Sequence, residues 1–381
     1  MKITLKLVYK MAKLKYILSH NAVFFISFAA ALFSMIFVPP SKEYLSYVDI
    51  NVIIMLFCLM GVIAALRSIG VFDIITDFLL KKTVSSRMIA FILMNLCFFT
   101  SMFITNDVSL ITFVPLTISM ASYSKDKLFL IKTLIIETIA ANLGSMMMPI
   151  GSPHNLYIYS HYNLSAIDFI KTLMPIWLLS YALLTLSILF IKKGEISYAA
   201  HKIEKPNKTS LIVYLLLFFI CLIAVAGVIS KISCFVITAA VLLLFNRKIF
   251  LKIDYFLLAT FICFFIFVGN ISSIPSINLY ISEFLTGRET IFSVFLSQII
   301  SNVPASVMLS EFTNNSTALL AGVNIGGLGT PIASLASLIT YRFYSASDNS
   351  KNGKFLLIFM IFNFAFLAIL LCAELIITKN F

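Results

Sequence analysis

The sequence predicts an all-α polytopic membrane protein made of two inverted repeats, each with a re-entrant helical hairpin and a broken transmembrane helix. Three observations carry that reading. Hydrophobic residues make up 61% of the 381-residue chain and charged residues only 12%, with a mean hydropathy of +1.03. Soluble domains run near half apolar and a quarter charged, so a water-soluble globule could not hide this much apolar surface. Second, the apolar runs are long and unbroken, which excludes an outer-membrane barrel with its alternating segments of about 10 residues. Third, two apolar stretches carry polar residues at their centres, and a segment of the first half recurs in the second. An ordinary cytosolic enzyme, a disordered chain and a fibrous protein are excluded by the same arithmetic.

A spanning helix needs about 20 apolar residues. Residues 1–20 hold Lys2, Lys6, Lys10, Lys13 and Lys15 with no small-residue cleavage site, and read as a cytoplasmic amphipathic lead-in. Crossings follow at 22–38, 51–69, 128–161 with an interruption, 170–191, 210–229, 232–246, 254–269, 316–345 with an interruption, and 354–377. Two stretches do not fit a crossing: 87–122, broken near Thr105-Asn106-Asp107, and 290–313, broken near Ser301-Asn302-Val303-Pro304. Each has a polar centre between short arms, the pattern of a hairpin that dips into the bilayer and returns. Asp73 and Asp77, ahead of Lys81-Lys82, read as a solvated face. The Lys-rich segment 192–209 is the one obvious linker. It separates a first transmembrane repeat, 21–191, from a second, 210–381.

Charge supports this topology. The net charge is +12, which in a soluble protein would raise nucleic-acid binding but in a membrane protein reflects cytoplasmic loops. With the N-terminus cytoplasmic, all but five of the 28 basic residues fall inside, the exceptions being Lys42, Lys171, Lys231, Arg288 and Lys379. Treating either hairpin as a single crossing would invert everything after it and spoil the bias. The first hairpin therefore enters from the cytoplasm and the second from outside. The six cysteines lie in apolar runs without a C-x-x-C pair, and read as small hydrophobes rather than metal ligands or disulfides.

The repeat rests on Asn142-Leu143-Gly144-Ser145 with Pro149-Ile150-Gly151-Ser152, echoed by Asn324-Ile325-Gly326-Gly327 with Pro331-Ile332-Ala333-Ser334. Asn, Gly, Pro, Ile and Ser recur at identical spacing, each time downstream of a hairpin break containing Asn. Gly and Pro in a spanning helix free backbone groups that lipid cannot satisfy, which is tolerated where the break lines a polar cavity. Freed N–H groups and helix N-termini attract an anion, while freed carbonyls and Asn or Ser oxygens suit a hard cation. The candidate cation site is accordingly Thr105, Asn106, Asp107, Asn142, Gly144, Ser145, Ser301, Asn302, Asn324 and Gly326, with Na⁺ as the expected ion. The candidate cargo site is Asn106, Ser152, Pro153, Asn155, Asn302, Thr330, Pro331 and Ser334. No other cofactor is expected.

The motifs Thr105-Asn106-Asp107-Val108-Ser109, Asn142 to Ser145 with Pro149 to Leu156, and Ser301-Asn302-Val303-Pro304 resemble those of the ion transporter superfamily. That group includes citrate-transporter-like proteins, divalent anion/Na⁺ symporters and arsenite permeases. The resemblance implies paired inverted repeats with re-entrant hairpins and broken helices, and, since relatives are often dimers, allows a homodimer while leaving the oligomeric state open. Dicarboxylate symporters of the group carry Ser-Asn-Thr at both tips. Here the first tip has a carboxylate in place of the Thr hydroxyl and the second has Val303, which moves the likeness towards the arsenite-permease and citrate-transporter-like branches.

Among single residues, Asp107 stands out, because a carboxylate inside the membrane is expensive unless it binds a cation or exchanges a proton; the plainer reading is a helix cap. Glu137 reads as a proton carrier or a partner of Lys132. His154 follows the first break and titrates near neutral pH when unperturbed, with capping an equal reading; His161 and Glu311 fit the outer interface. Arg67 reads as snorkelling. No P-loop, dinucleotide fingerprint or H-E-x-x-H occurs, nor any nucleophile or acid–base constellation, so an enzyme is not expected. The expected function is a secondary active transporter for a small anion, a carboxylate or an oxyanion, coupled to Na⁺ or H⁺ by alternating access in the cell membrane. The alternative on the same fold is a cation/proton antiporter or an arsenite-type efflux permease. A passive pore is disfavoured by hairpins entering from both faces.

Overall fold

A computed structural model describes residues 22–71, 74, 85–121, 124, 126, 128–195, 207–347 and 350–379. The lead-in over 1–20, Asp73, Asp77, Lys81, Lys82, Lys125, Lys127 and most of the linker lie outside the described residues. The helices in chain order are α1 (Ala22–Ser34), the one-turn α2 (Tyr44–Tyr47), α3 (Ile50–Ser68), α4 (Ser86–Ile104), α5 (Asn106–Ala121), α6 (Phe129–Ser145), α7 (Pro153–His161) and α8 (Ala166–Ser187). They continue as α9 (Lys208–Val225), α10 (Lys231–Asn246), α11 (Tyr255–Ser272), α12 (Pro275–Leu285), α13 (Glu289–Ile300), α14 (Asn302–Ser310), α15 (Ser316–Gly326), α16 (Leu335–Ser345) and α17 (Asn352–Lys379). Starts are set locally. Asp49, Ser165, Asn207, Ser230, Asp254 and Asn315 each accept a hydrogen bond from a backbone N–H of the first turn they open, which satisfies donors that would otherwise be orphaned.

Among the described residues, seven helices are long and apolar enough to cross a membrane. The perimeter is apolar too: Ile26, Leu178, Phe219, Leu244, Leu357 and Ile361 are between 55% and 83% exposed. An apolar girdle of this kind is where lipid packs. With many helices apolar on all sides, facing is decided by neighbours rather than by an amphipathic stripe.

Two ends of the bundle can be told apart by their contacts. At the basic end, Arg87 at the start of α4 donates to the Ile191 and Leu189 carbonyls, and Lys132 on α6 donates to Phe190 O. At the opposite end, Tyr162 donates to the Thr313 carbonyl with the Ser310 carbonyl also within reach, Lys231 donates to Ser160 Oγ, and His161 sits 3.9 Å from Glu311.

Both hairpins return to the end they leave. In the first, Thr100 Oγ1 lies 3.0 Å from Ser109 Oγ across the tip. Arm α5 then runs antiparallel to α6, Asn106 meeting Asn142 at one end and Thr117 meeting Glu137 further along. In the second, Thr313 just beyond α14 donates to Glu289 at the start of α13. One expectation changes: the arms of the first hairpin are not short. Arm α4 has 19 residues and by length alone passes for a crossing; its partner α5 has 16.

The interrupted helices change partners at their breaks. Segment α6 packs on its own hairpin, α4 and α5, whereas α7 packs on α14 of the other hairpin. Segment α15 packs on α13 and α14, whereas α16 packs on α5. Each hairpin is thus held between a piece of its own broken helix and a piece of the other.

Candidate functional site

The two tips share a backbone geometry. Thr105 has φ 72° and ψ 152°, and Ser301 has φ 77° and ψ 153°. Non-glycine residues avoid this region, and each such residue costs on the order of 1–3 kcal/mol. The strain is held because Asn106 and Asn302, the next residues, open α5 and α14 and are fixed by bonds across the protein. Asn106 Nδ2 donates to Asn142 Oδ1 at 3.0 Å, and the Asn302 N–H donates to Ala333 O at 2.9 Å. A Ser–Gly contact closes each hairpin against its helix. A Cβ on Gly144 would meet the Phe98 carbonyl and, at 2.7 Å, Ser101 Oγ; on Gly326 it would meet Ser297 Oγ at 2.7 Å. These glycines are therefore spacers that let the backbone reach the tip.

The breaks are the expected ones. Helix α6 ends at Ser145, a single 3₁₀ turn covers Pro149–Gly151, and α7 starts at Pro153. In the second half, α15 ends at Gly326 and α16 starts after Ser334. Across the middle, each break asparagine is held by the other half. Asn142 Oδ1 accepts from Ser334 Oγ at 2.9 Å as well as from Asn106, while its Nδ2 reaches Gly327 O at 3.5 Å. Asn324 Nδ2 donates to Asn155 Oδ1 at 2.7 Å and to Leu320 O at 2.9 Å. The two backbone acceptors, Ser145 O for Asn155 Nδ2 at 3.4 Å and Leu320 O for Asn324 Nδ2, fix both amide orientations. Asn324 Oδ1 must then accept from His154 Nε2 at 3.2 Å, so that nitrogen carries the ring proton. Ser152 Oγ lies 3.2 Å from the same nitrogen, and His154 Nδ1 is buried without a partner. The halves differ here: Ser334 reaches Asn142 directly, whereas Ser152 reaches Asn324 through His154.

A cavity of about 670 Å³ runs from the basic end to this network. Thr105 and Asp107 line it from the first tip and Ser152 and Pro153 from the first break, with Arg67, Lys252 and Arg342 around it and Asp254 beside them. Arg67 does more than snorkel, donating to Ile111 O on α5. Asp107 Oδ1 is buried with no hydrogen-bond partner. Two cavities at the opposite end, of about 330 and about 600 Å³, are lined by residues such as Asn278, Glu289 and Glu311, and neither is lined by a tip residue.

The remaining candidates separate as follows. Ser145 and Ser301 spend their hydroxyls on carbonyls, Asn142 O at 2.9 Å and Ala333 O at 3.4 Å. Thr330 is tied to Gln298, its N–H donating to Oε1 at 2.9 Å and its Oγ1 to the backbone oxygen at 3.1 Å; neither it nor Pro331 lines the cavity. Gln298 itself was not among the expected residues. Its Nε2 donates to Gly326 O and Leu328 O, both at 2.9 Å, and so satisfies carbonyls freed by the second break. A lone Gln in an apolar arm three residues before Ser301 was the available signal.

Two hairpin tips and two helix breaks joined in one buried polar network, reached by a cavity from one end, form the architecture of a membrane transporter. The chain belongs to the CitMHS family, described as citrate transporters, whose sequence model matches residues 16–316. An uncharacterized transporter from Methanocaldococcus jannaschii is 36% identical over 338 residues, 88% of this chain and 91% of that protein. The inner membrane protein YbiR of Escherichia coli K12 is 30% identical over 313 residues, 80% of this chain and 83% of the relative.

Proposed function

We propose that this protein is a secondary active transporter that carries a small anion, a carboxylate or an oxyanion, across the cell membrane by alternating access, driven by Na⁺ or H⁺. The observation that carries the reading is the one-sided cavity. Tip and break residues line it from the basic end, and neither cavity of the other end is lined by a tip. Arg67, Lys252 and Arg342 outnumber Asp107 and Asp254 in its lining, a net positive balance that favours an anion. The unpartnered Asp107 oxygen at the cavity wall, with Asn106 and Asn142 behind it, supplies the hard oxygens a Na⁺ ion prefers; Ser152 on the wall offers the cargo a polar contact, with Asn155 and Ser334 behind it in the buried network. In this reading the N-terminus is cytoplasmic, the halves are inverted repeats, and relative motion of hairpins and broken helices exposes the site to the other face. The mirrored tip geometry and the exchange of hairpins at the breaks support that symmetry.

Citrate, the cargo named in the family's description, is the first to test. Purified protein in proteoliposomes is given radiolabelled citrate and then a panel of small carboxylates and oxyanions, under imposed Na⁺ or pH gradients. Uphill accumulation with one gradient is the expected result. Purely downhill flux indicates a pore, and no flux with any anion overturns the anion reading. One observation favours a second reading, cation/proton antiport: the unpartnered Asp107 carboxylate oxygen at the cavity wall. Na⁺-dependent proton flux without any anion would select it.

A further inference from the structure

Glu137 lies at the centre of α6, completely buried, and none of the tip and break bonds uses it. Thr117 Oγ1 on hairpin arm α5 is 2.5 Å from its Oε1, while Oε2 is buried with no partner. Glu137 makes no ion pair with any of the described residues. An ionised carboxylate in such a place costs several kcal/mol that nothing here offsets.

Burial without a counter-charge argues for the protonated acid, and the hydrogen count accommodates it. Thr117 Oγ1 is also 3.2 Å from the Phe113 carbonyl one turn earlier in α5. A hydroxyl has one hydrogen, and a carbonyl only accepts. If Thr117 donates to Phe113 O, as helix-interior threonines commonly do, the short contact to Glu137 needs its proton from the glutamic acid. The chain then reads Glu137 O–H to Thr117 Oγ1 and Thr117 O–H to Phe113 O. The leftover Oε2 is a neutral carbonyl oxygen, far cheaper to leave bare than a charged one.

The charged and titratable side chains on the packed elements leave Glu137 alone with its proton. Arm α4 contributes Arg87, committed to carbonyls at the basic end, and the buried thiol Cys97. Arm α5 contributes only Asp107, ten residues from Thr117 and so about 15 Å along the helix. On α6, Lys132 is bonded to Phe190 O. The turn at Pro149–Gly151 and α15 carry none. Helix α8 brings Asp168 and Lys171 near its far start and Tyr181, bonded to Asn95. On α16, Arg342 lines the cavity and Tyr344 accepts from Lys351 N, with Tyr341 beside Phe355. Helix α17 adds Lys354, Cys372, Glu374 and Lys379 towards its two ends.

We propose that Glu137 is a proton-carrying site of the transport cycle, separate from the tip, whose acid proton clamps hairpin arm α5 to α6 through Thr117. When the arm moves, the O–H bond to Thr117 breaks and water admitted between the helices takes the proton; re-protonation restores the clamp. This rests on the transporter reading above and makes H⁺ a coupling ion.

Infrared difference spectroscopy of the protein in lipid, wild type against Glu137→Gln, reads the proton directly. The expected result is a carboxylic-acid carbonyl band that is absent from the variant and fades reversibly in the wild type as the pH is raised. No such band means an ionised Glu137, and a band insensitive to pH means a sealed structural acid; either overturns the proposal. In proteoliposomes with citrate as probe, Glu137→Gln should lose pH-gradient-driven accumulation altogether, its internal level falling to that of downhill equilibration. Wild-type accumulation in the variant overturns the coupling role. If the wild type moves no citrate under any gradient, the citrate reading fails, while the band titration still decides the proton on Glu137. Should Glu137→Gln not fold, Thr117→Val keeps the acid and removes its partner, and an unshifted band would overturn the clamp.

Discussion

Asn142→Ala removes the side chain on which the two halves most clearly meet. Its Oδ1 accepts from Asn106 Nδ2 at 3.0 Å and from Ser334 Oγ at 2.9 Å, and its Nδ2 makes a long contact of 3.5 Å to Gly327 O. Truncation strands two buried donors. In a water-excluded core each would cost about 1–3 kcal/mol. In membrane proteins, measured interhelical bonds average about 0.6 kcal/mol and reach about 1.7. The lower scale governs here, because the cavity at Thr105 and Ser152 can hydrate what is stranded. The loss should be about 1–3 kcal/mol, small enough for the protein to insert and large enough to loosen the first tip from the second break. Thermal unfolding in detergent reads the stability, and gradient-driven uptake in proteoliposomes reads the function. A cycle with Ser334→Ala isolates the bond between the halves and should give a coupling of about 0.6–1.7 kcal/mol. Wild-type uptake in Asn142→Ala together with zero coupling would refute the argument that this bond holds the site together.

Three further outcomes are expected. Single cysteines at Lys192 and Asn314 should be modified by an impermeant reagent from opposite faces, Lys192 from the cytoplasm; modification of both from one face would contradict the arrangement of the hairpins. Asp107→Asn keeps the size of the side chain and deletes its charge, so ion-driven accumulation should fall to downhill equilibration, whereas an undiminished accumulation ratio would reduce Asp107 to a helix cap. Gly144→Ala drives a Cβ into the Phe98 carbonyl and Ser101 Oγ and should cost about 1–3 kcal/mol by overpacking, while Gly353→Ala, with nothing within 4 Å of its Cβ, should leave the unfolding temperature unchanged.

Much of the fold was legible along the chain. Burial from water is the quantity a run of apolar residues records, so six uninterrupted spans, the two hairpin tips and the two breaks at Asn142 and Asn324 follow from hydropathy and from where Gly, Pro and Asn interrupt it; the expected crossing at 22–38 is helical only over Ala22–Ser34, too short among the described residues to count as one. The long arm α4 was harder, since its 19 apolar residues are indistinguishable by composition from a crossing. Only the position of its tip, at Thr105, and the basic residues around it separate the two readings.

What the sequence determined by itself is therefore the class of protein, the order of its helices and the places where polar groups must enter the membrane; a bilayer tolerates freed backbone only where protein or a cavity satisfies it. Partnership was decided by the tertiary structure alone. Asn142 and Ser334 are 192 positions apart, and no local pattern says that Ser334 binds Asn142 directly while Ser152 reaches Asn324 through His154. Gln298 closing the second break, Thr117 meeting Glu137, and the strained tips at Thr105 and Ser301 belong to the same class. The physical reason is that helices apolar on every side carry no stripe to orient them. Which faces meet is fixed by close packing at glycines and by the need of a few buried polar atoms to find one another, and both are properties of the assembled bundle.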